Sequence, residues 1–187
     1  METFTPFNLV FFAAATAVLL YVSRASLRRP GSHGFYRFFV FEAILALTLL
    51  NLDRWFEEPF SLHQIISWVC LVLGLFLAIH GFWLLRIVGE PDSRREDSSL
   101  FSFEKTTTLV KVGAYKYIRH PLYSSLLLLA WGVFFKSPSF VGGDLAVVAT
   151  AFLIATAAAE EAENIRHFGP SYREYIRQTK RFIPFVY

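Results

Sequence analysis

The residues best suited to chemistry in this sequence fall in two short runs. One is Lys111 to Tyr123, KVGAYKYIRHPLY, a basic and aromatic stretch that passes through Arg119-His120-Pro121 into an apolar segment. Pro121 suits the first turn of a helix, where its missing N–H removes no bond, so Arg119 and His120 fall at a helix N-terminus. Free amides and the helix dipole favour an anion there, such as a carboxylate or a phosphate. The other run, EEAENIRHFGPSYREY, closes the last apolar segment with Glu160 and Glu161. Spacings of three, four and seven put Glu160, Glu163, Asn164 and His167 on one helix face. Lys136 to Gly143 is a short connection, so the flanking segments form an antiparallel hairpin with both chemical ends together. A basic, aromatic side and an acidic side then enclose one small volume just under the lipid headgroups.

Taken singly, these residues have plainer roles. Arg119 alone suits anchoring at phosphate level, His120 a helix-start donor, and the two glutamates a helix turning polar as it leaves the bilayer. Tyr115, Tyr117, Tyr123, Tyr172 and Tyr175 suit an interfacial aromatic belt as well as a stacking surface. Glu42 lies inside an apolar segment and is expected to pair with Arg37 or tilt toward water; His80 is expected to hydrogen-bond between helices. Glu163 and His167 have metal-ligand spacing, but no second such pair exists, so no metal site is expected. Cys70 sits in an apolar stretch and reads as a small buried hydrophobe; one cysteine excludes an intramolecular disulfide.

The elements that must position these groups are membrane helices. A hydrophobic share of 55% and a mean hydropathy of +0.44 exceed what a water-soluble core of this size hides. Five apolar stretches are marked out, at about 7–22, 35–51, 62–88, 122–136 and 140–159. The first and fourth fall short of the ~20 residues a span needs, so each must extend into its flanks, cross a thinned region or stop short. With five crossings, sixteen of the eighteen Lys and Arg residues fall on one side, leaving Arg54 and Lys136 on the other. By the positive-inside rule the C-terminus is cytosolic and the N-terminus outside. The basic balance (net +3) thus belongs to cytosolic loops and does not call for a nucleic-acid partner. A cleavable signal peptide is not expected, since Glu2 and no basic residue precedes the first apolar run. Within the polar 89–110 region, Leu100, Phe101 and Phe103 are expected to dip into the interface or pack on the protein. The expectation is an all-α polytopic bundle of about five transmembrane helices, one integral membrane domain over 1–187.

The last 80 or so residues resemble the isoprenylcysteine carboxyl methyltransferase and phospholipid methyltransferase superfamily of membrane enzymes. The marks are Gly113, Tyr115, Arg119, His120, Pro121 and Tyr123 in the G-x-Y-x-x-x-R-H-P-x-Y run, the Glu160-Glu161 pair, and Phe168, Gly169, Tyr172 and Tyr175 ahead of Ile183-Pro184. One departure is Ser125, where members of the family often carry glycine. The resemblance implies a cofactor-binding methyltransferase-like core over 109–187 and S-adenosylmethionine as cofactor. It also implies cofactor binding by Gly113, Tyr115, Arg119, His120, Pro121, Tyr123, Glu160, Glu161 and Tyr172, with Arg119 and Glu161 in the catalytic role. Physically, the helix start with Arg119 and His120 suits the cofactor carboxylate, the glutamates its ammonium or ribose diol, and tyrosines its adenine. Methyl transfer needs in-line alignment and exclusion of water more than a protein nucleophile. The implied partner is a lipid or lipidated acceptor entering from the membrane.

Membrane sterol and steroid reductases share a similar R-H-P-x-Y run and would bind a nicotinamide dinucleotide; a non-catalytic membrane scaffold is the third possibility. The acceptor atom is not legible. A carboxylate needs no general base, whereas an amine must lose a proton, with Glu42, Glu161 or His167 as candidate bases.

Overall fold

The computed structural model describes residues 5–90 and 106–186; Leu100, Phe101 and Phe103 lie outside them. Six α-helices follow in order: α1 (Pro6–Leu27), α2 (His33–Leu50), α3 (Leu62–Ile87), α4 (Pro121–Phe134), α5 (Phe140–Phe168) and α6 (Pro170–Gln178). Short 3-10 turns occupy Leu52–Arg54 and Gly113–Lys116. An isolated parallel bridge joins Ile118 to Lys180.

Local chemistry sets the helix starts. The hydroxyls of Thr5, Ser32 and Ser139 each accept from an amide in the first turn of α1, α2 and α5, and Pro6, Pro121 and Pro170 stand at first-turn positions of α1, α4 and α6. Gly169 separates α5 from α6 at φ 59°, ψ −130°, a conformation essentially restricted to glycine. The sequence did not mark α6 as a helix; the Gly169-Pro170 pair was its start signal.

Four helices, α1, α2, α3 and α5, are long and apolar enough to cross a membrane. The short first stretch becomes 22 residues by extending both ways. The fourth does not: α4 has 14 residues, about 21 Å at 1.5 Å per residue, against a hydrocarbon core of roughly 30 Å. The fifth stretch gains nine residues beyond 159, so both glutamates are helical.

Packing runs α3 on α4, α4 on α5, and α5 with α2, with α1 on the outer side of α2. Buried Val40, Ile44, Ala130, Ala149, Leu153 and Ala157 form the central contact of α2, α4 and α5. Small residues let α3 approach α4: a Cβ at Gly81 would stand 3.1 Å from Leu122 Cδ2. Glu42 does not take the pairing expected within its own helix; Thr16 of α1 donates to its Oε2 at 2.8 Å, because α1 covers that face of α2.

At the end of the bundle where α4 stops, Lys136 is buried, 1% exposed. Its ammonium donates to Gln64 Oε1 (3.0 Å) and to the Trp55 carbonyl (3.3 Å) and sits 3.5 Å from the Trp68 ring centroid. This cation–π box joins the α4–α5 turn to the start of α3. Lys136→Met is expected to destabilise the protein by about 2 kcal/mol, since it removes a desolvated cation–π contact and orphans Gln64. Thermal unfolding in detergent measures this.

Candidate active site

The opposite end of the bundle gathers the ends of α3 and α5, the start of α4, and α6. The tail is strapped along the start of α4. Lys180 N donates to the Tyr117 carbonyl (3.0 Å), while the amides of Arg119 and His120 donate to the carbonyls of Lys180 (2.8 Å) and Arg181 (3.2 Å). Ser124 Oγ donates to the Phe182 carbonyl at 2.8 Å. The amides of Arg119 and His120, expected to attract an anion, are therefore taken by the chain itself.

Glu161 is the hub of this assembly and is 7% exposed. Its Oε1 accepts from Arg119 Nε (2.8 Å) and Arg181 Nε (3.1 Å), and its Oε2 from Arg181 Nη2 (2.7 Å). His120 Nε2 lies 3.3 Å from Oε1. Arg119 reaches further, donating through Nη1 to the carbonyls of Ile176 and Thr179 at the C-terminal end of α6, where a cation complements the helix dipole. Four segments are thus pinned to one carboxylate. Arg181, counted from sequence only among the positive charges of the tail, is a principal member of this lock.

Beside the lock opens a cleft of about 600 Å³ when the open space at its mouth is included. Leu85 of α3, with Thr106, Leu109, Val110 and Tyr115, forms one side; Arg119, His120, Leu122 and Tyr123 come from the start of α4. Glu160, Asn164 and Phe168 of α5 and Tyr172 and Tyr175 of α6 complete the lining. The adjacent glutamates, about 100° apart on the helix, part company here: Glu160 lines the cleft and Glu161 does not. Asn164 Nδ2 donates to Glu160 Oε1 at 3.4 Å, one helical turn away as the spacing predicted.

His120 is buried and stacks on Tyr123, with centroids 5.3 Å apart and planes 16° apart. Its Nδ1 is 3.7 Å from Glu160 Oε2, so the ring stands between the two carboxylates. Tyr175 donates its hydroxyl to the Tyr115 carbonyl at 2.6 Å, clamping α6 onto the turn before α4. Burial, and for Tyr172 also the charge of Glu160, pushes both α6 phenols above their ordinary range, so they present neutral hydroxyls and flat rings.

Of the nine residues expected to hold a cofactor, Tyr115, Arg119, His120, Tyr123, Glu160 and Tyr172 line the cleft; Gly113, Pro121 and Glu161 do not. Gly113 supports it from behind. Its φ is +57°, and a Cβ would lie 2.6 Å from both His80 Nε2 and Leu84 Cδ1. His80 Nε2 accepts from Ala114 N at 3.4 Å, so this imidazole holds the 3-10 turn rather than a second transmembrane helix. Ser125 returns its hydroxyl to the Leu122 carbonyl at 2.6 Å and is absent from the lining. The candidate bases Glu42, Glu161 and His167 are absent from it too.

Against known families, residues 62–171 match the phospholipid methyltransferase model. That stretch holds α3, α4, α5, His120 and both glutamates. Among curated proteins, the methanethiol S-methyltransferase of Crocosphaera subtropica is 29% identical over 151 residues, 76% of this chain and 53% of that protein. The one from Pseudomonas deceptionensis is 26% identical over 121 residues, 64% of this chain and 42% of that protein. Methanethiol S-methyltransferase 1 of Bradyrhizobium diazoefficiens is 33% identical over 72 residues, 37% of this chain and 24% of that protein. The chain therefore spans about half or less of the length of these relatives. No solved structure matches it.

Proposed function

The chain belongs to the phospholipid methyltransferase family, and from that premise we propose that it transfers a methyl group from S-adenosylmethionine to a lipid-embedded or lipidated acceptor at the cytosolic membrane face. The observation that carries the reading is the cleft at the start of α4. One carboxylate lines it with its amide neighbour Asn164, an imidazole flanks that carboxylate, and aromatic rings supply flat walls. Such a donor and acceptor set fits a molecule that carries an adenine, a ribose diol and cationic centres. When bound, the cofactor supplies an electrophilic methyl on a good leaving group, so the protein is left with alignment and water exclusion.

Within that proposal, Glu160 and Asn164 receive the ammonium or the diol, Tyr172 and Tyr115 face the adenine, and His120 holds Glu160 in place. Arg119 and Glu161 serve as positioning residues rather than catalytic ones: their hydrogen-bonding groups are engaged with each other, with Arg181 and with the end of α6. Gly113 and Pro121 shape the approach to α4. The positive-inside rule, counted over five crossings, favours the cytosol for this end of the bundle, where the cofactor is dissolved. In this reading the start of α4, and the cleft with it, lies at the level of the bilayer surface, within reach of a lipid-anchored group. The names of the relatives favour a second acceptor class, a small apolar thiol that partitions into the membrane.

S-adenosylmethionine affinity measured in detergent tests the assignment. Glu160→Ala and His120→Ala are each expected to weaken binding by about 10–100-fold, the loss of one charge-assisted contact or of its support. Unchanged affinity in both variants rejects the site, and binding of NADPH in place of S-adenosylmethionine transfers the reading to the reductase class.

A further inference from the structure

Beyond the strap that closes the lock, the chain presents a surface that neither the lock nor the cleft uses. The bridge between Ile118 and Lys180 is parallel, so the tail runs in the same direction as the chain entering α4. Its Phe182 carbonyl accepts from Ser124, in the first turn of that helix. Because α4 leads into the apolar bundle, the tail descends with it toward lipid. Phe182 is buried there, its ring centroid 6.2 Å from that of His120. The residues after it are not buried: Ile183 is about half exposed, Phe185 is 82% exposed and Val186 70%. The chain turns at this level, with Val186 N donating to the Ile183 carbonyl, and Phe185 comes back against the half-exposed Tyr117 ring, centroids 6.1 Å apart. Three large apolar side chains within four residues are costly to leave in water. Phe185 adds to that cost by standing at φ +67°, where a bulky side chain is strained. Burial of the turn in lipid offsets both.

Cations frame the same turn. Lys116 holds its ammonium 5.8 Å from the centroid of the Tyr117 ring that Phe185 touches. Lys180, exposed, pairs with Ile118 at the head of the strap. The one carboxylate of α6, Glu174, is taken by Arg177 at 3.3 Å. Apolar side chains that enter lipid beneath lysines form an interfacial anchor, in which aromatic rings lie at headgroup level and long basic side chains reach the phosphates. The positive sign also selects among lipids, because a lysine is attracted to an anionic surface and not to a zwitterionic one.

We propose that Ile183, Phe185 and Val186 form a foot in the bilayer interface, and that Lys116 and Lys180 beside it bind the headgroup of an anionic phospholipid. This goes beyond methyl transfer and does not rest on it. A foot held in the leaflet also steadies the cleft, since the carbonyls of Lys180 and Arg181 on the same strap receive the amides of Arg119 and His120.

The full chain in lipid nanodiscs tests the proposal. Phe185→Trp places an indole at the turn, and the wild type, with its four tryptophans, supplies the background emission. Brominated phosphatidylglycerol and brominated phosphatidylcholine, at equal mole fraction in separate discs, then report which lipid lies beside the foot. Both are expected to quench the added emission, with a preference for phosphatidylglycerol of about fivefold for each lysine that contributes. Lys116→Gln combined with Lys180→Gln is expected to abolish the preference and keep the quenching; the strap survives, because its hydrogen bonds use the backbone of Lys180. Arg28→Gln, at an exposed position of the α1–α2 connection at the same end of the bundle, is expected to leave the preference intact. Should Phe185→Trp upset the turn, Val186→Trp is the second probe position. Quenching by neither lipid puts the foot in water, against a second copy or against another protein, and overturns the proposal. Equal quenching by the two lipids overturns it as well, and so does loss of the preference in Arg28→Gln, which marks a general charge effect. In the wild type, hydrogen exchange at the Arg119 and His120 amides is expected to slow about fivefold when phosphatidylglycerol is added to phosphatidylcholine discs. An unchanged rate overturns the link from the foot to the strap.

Discussion

Glu161→Ala is expected to destabilise the protein by about 3–5 kcal/mol and to release the tail from the start of α4. The carboxylate is buried and accepts from both Arg119 and Arg181. Its removal leaves one guanidinium that is 8% exposed and a second that is 21% exposed without their shared counter-charge. Breaking a buried ionic group on one side costs far more than the net worth of the intact set, because the surviving charges stay largely out of water without their counter-charge. Glu160→Ala is expected to be far milder in stability and to lose cofactor affinity instead. Unfolding in detergent, with limited proteolysis of the segment after Gln178, separates the two. Equal small losses for the neighbouring glutamates would sink the division of labour between them. An Arg181→Ala, Glu161→Ala double-mutant cycle is expected to be strongly non-additive, since the two residues share one lock.

Gly113→Ala is expected to cost about 3 kcal/mol and to weaken S-adenosylmethionine binding with it. Two causes add. A side chain at φ +57° costs ~1–2 kcal/mol, and its Cβ would stand 2.6 Å from His80 Nε2 and from Leu84 Cδ1, which forces a packed neighbour to move at a further ~1–3 kcal/mol. Leu84 is buried against Val110 and Tyr115, both of which line the cleft, so the displacement reaches the wall. His80→Ala in the same chain removes one of the two clashes and is expected to restore part of the loss. Full additivity of the two substitutions in thermal unfolding would show that the contact with His80 plays no part.

The outline of the bundle was open to reading from sequence because the bilayer imposes it: apolar runs bounded by Ser, Thr and Pro become helices whatever their neighbours. Boundaries moved where a local stretch gave no sign of its continuation. Glu160 to Phe168 turns polar yet stays helical, since a helix leaving lipid keeps its backbone bonds internal. Conversely, α4 ends before Lys136 because that ammonium is drawn into the Trp55, Gln64 and Trp68 box, a partnership between residues 68 to 81 positions apart. His80 likewise carried no sign that its partner would be the turn at Gly113.

From residues alone came the helical class, the membrane-spanning character, the family resemblance, and the meeting of the Arg119-His120 run with the Glu160-Glu161 pair at one end of a hairpin. Periodicity and short connections are local properties of the chain, and they suffice for these. Only the tertiary structure decided which glutamate faces the cleft and which is spent on two arginines, and that the Arg119 and His120 amides belong to the tail. Those outcomes depend on helix rotation and on contacts between segments distant in the chain, where one residue's step of about 100° around a helix exchanges a buried anchor for a ligand-facing group.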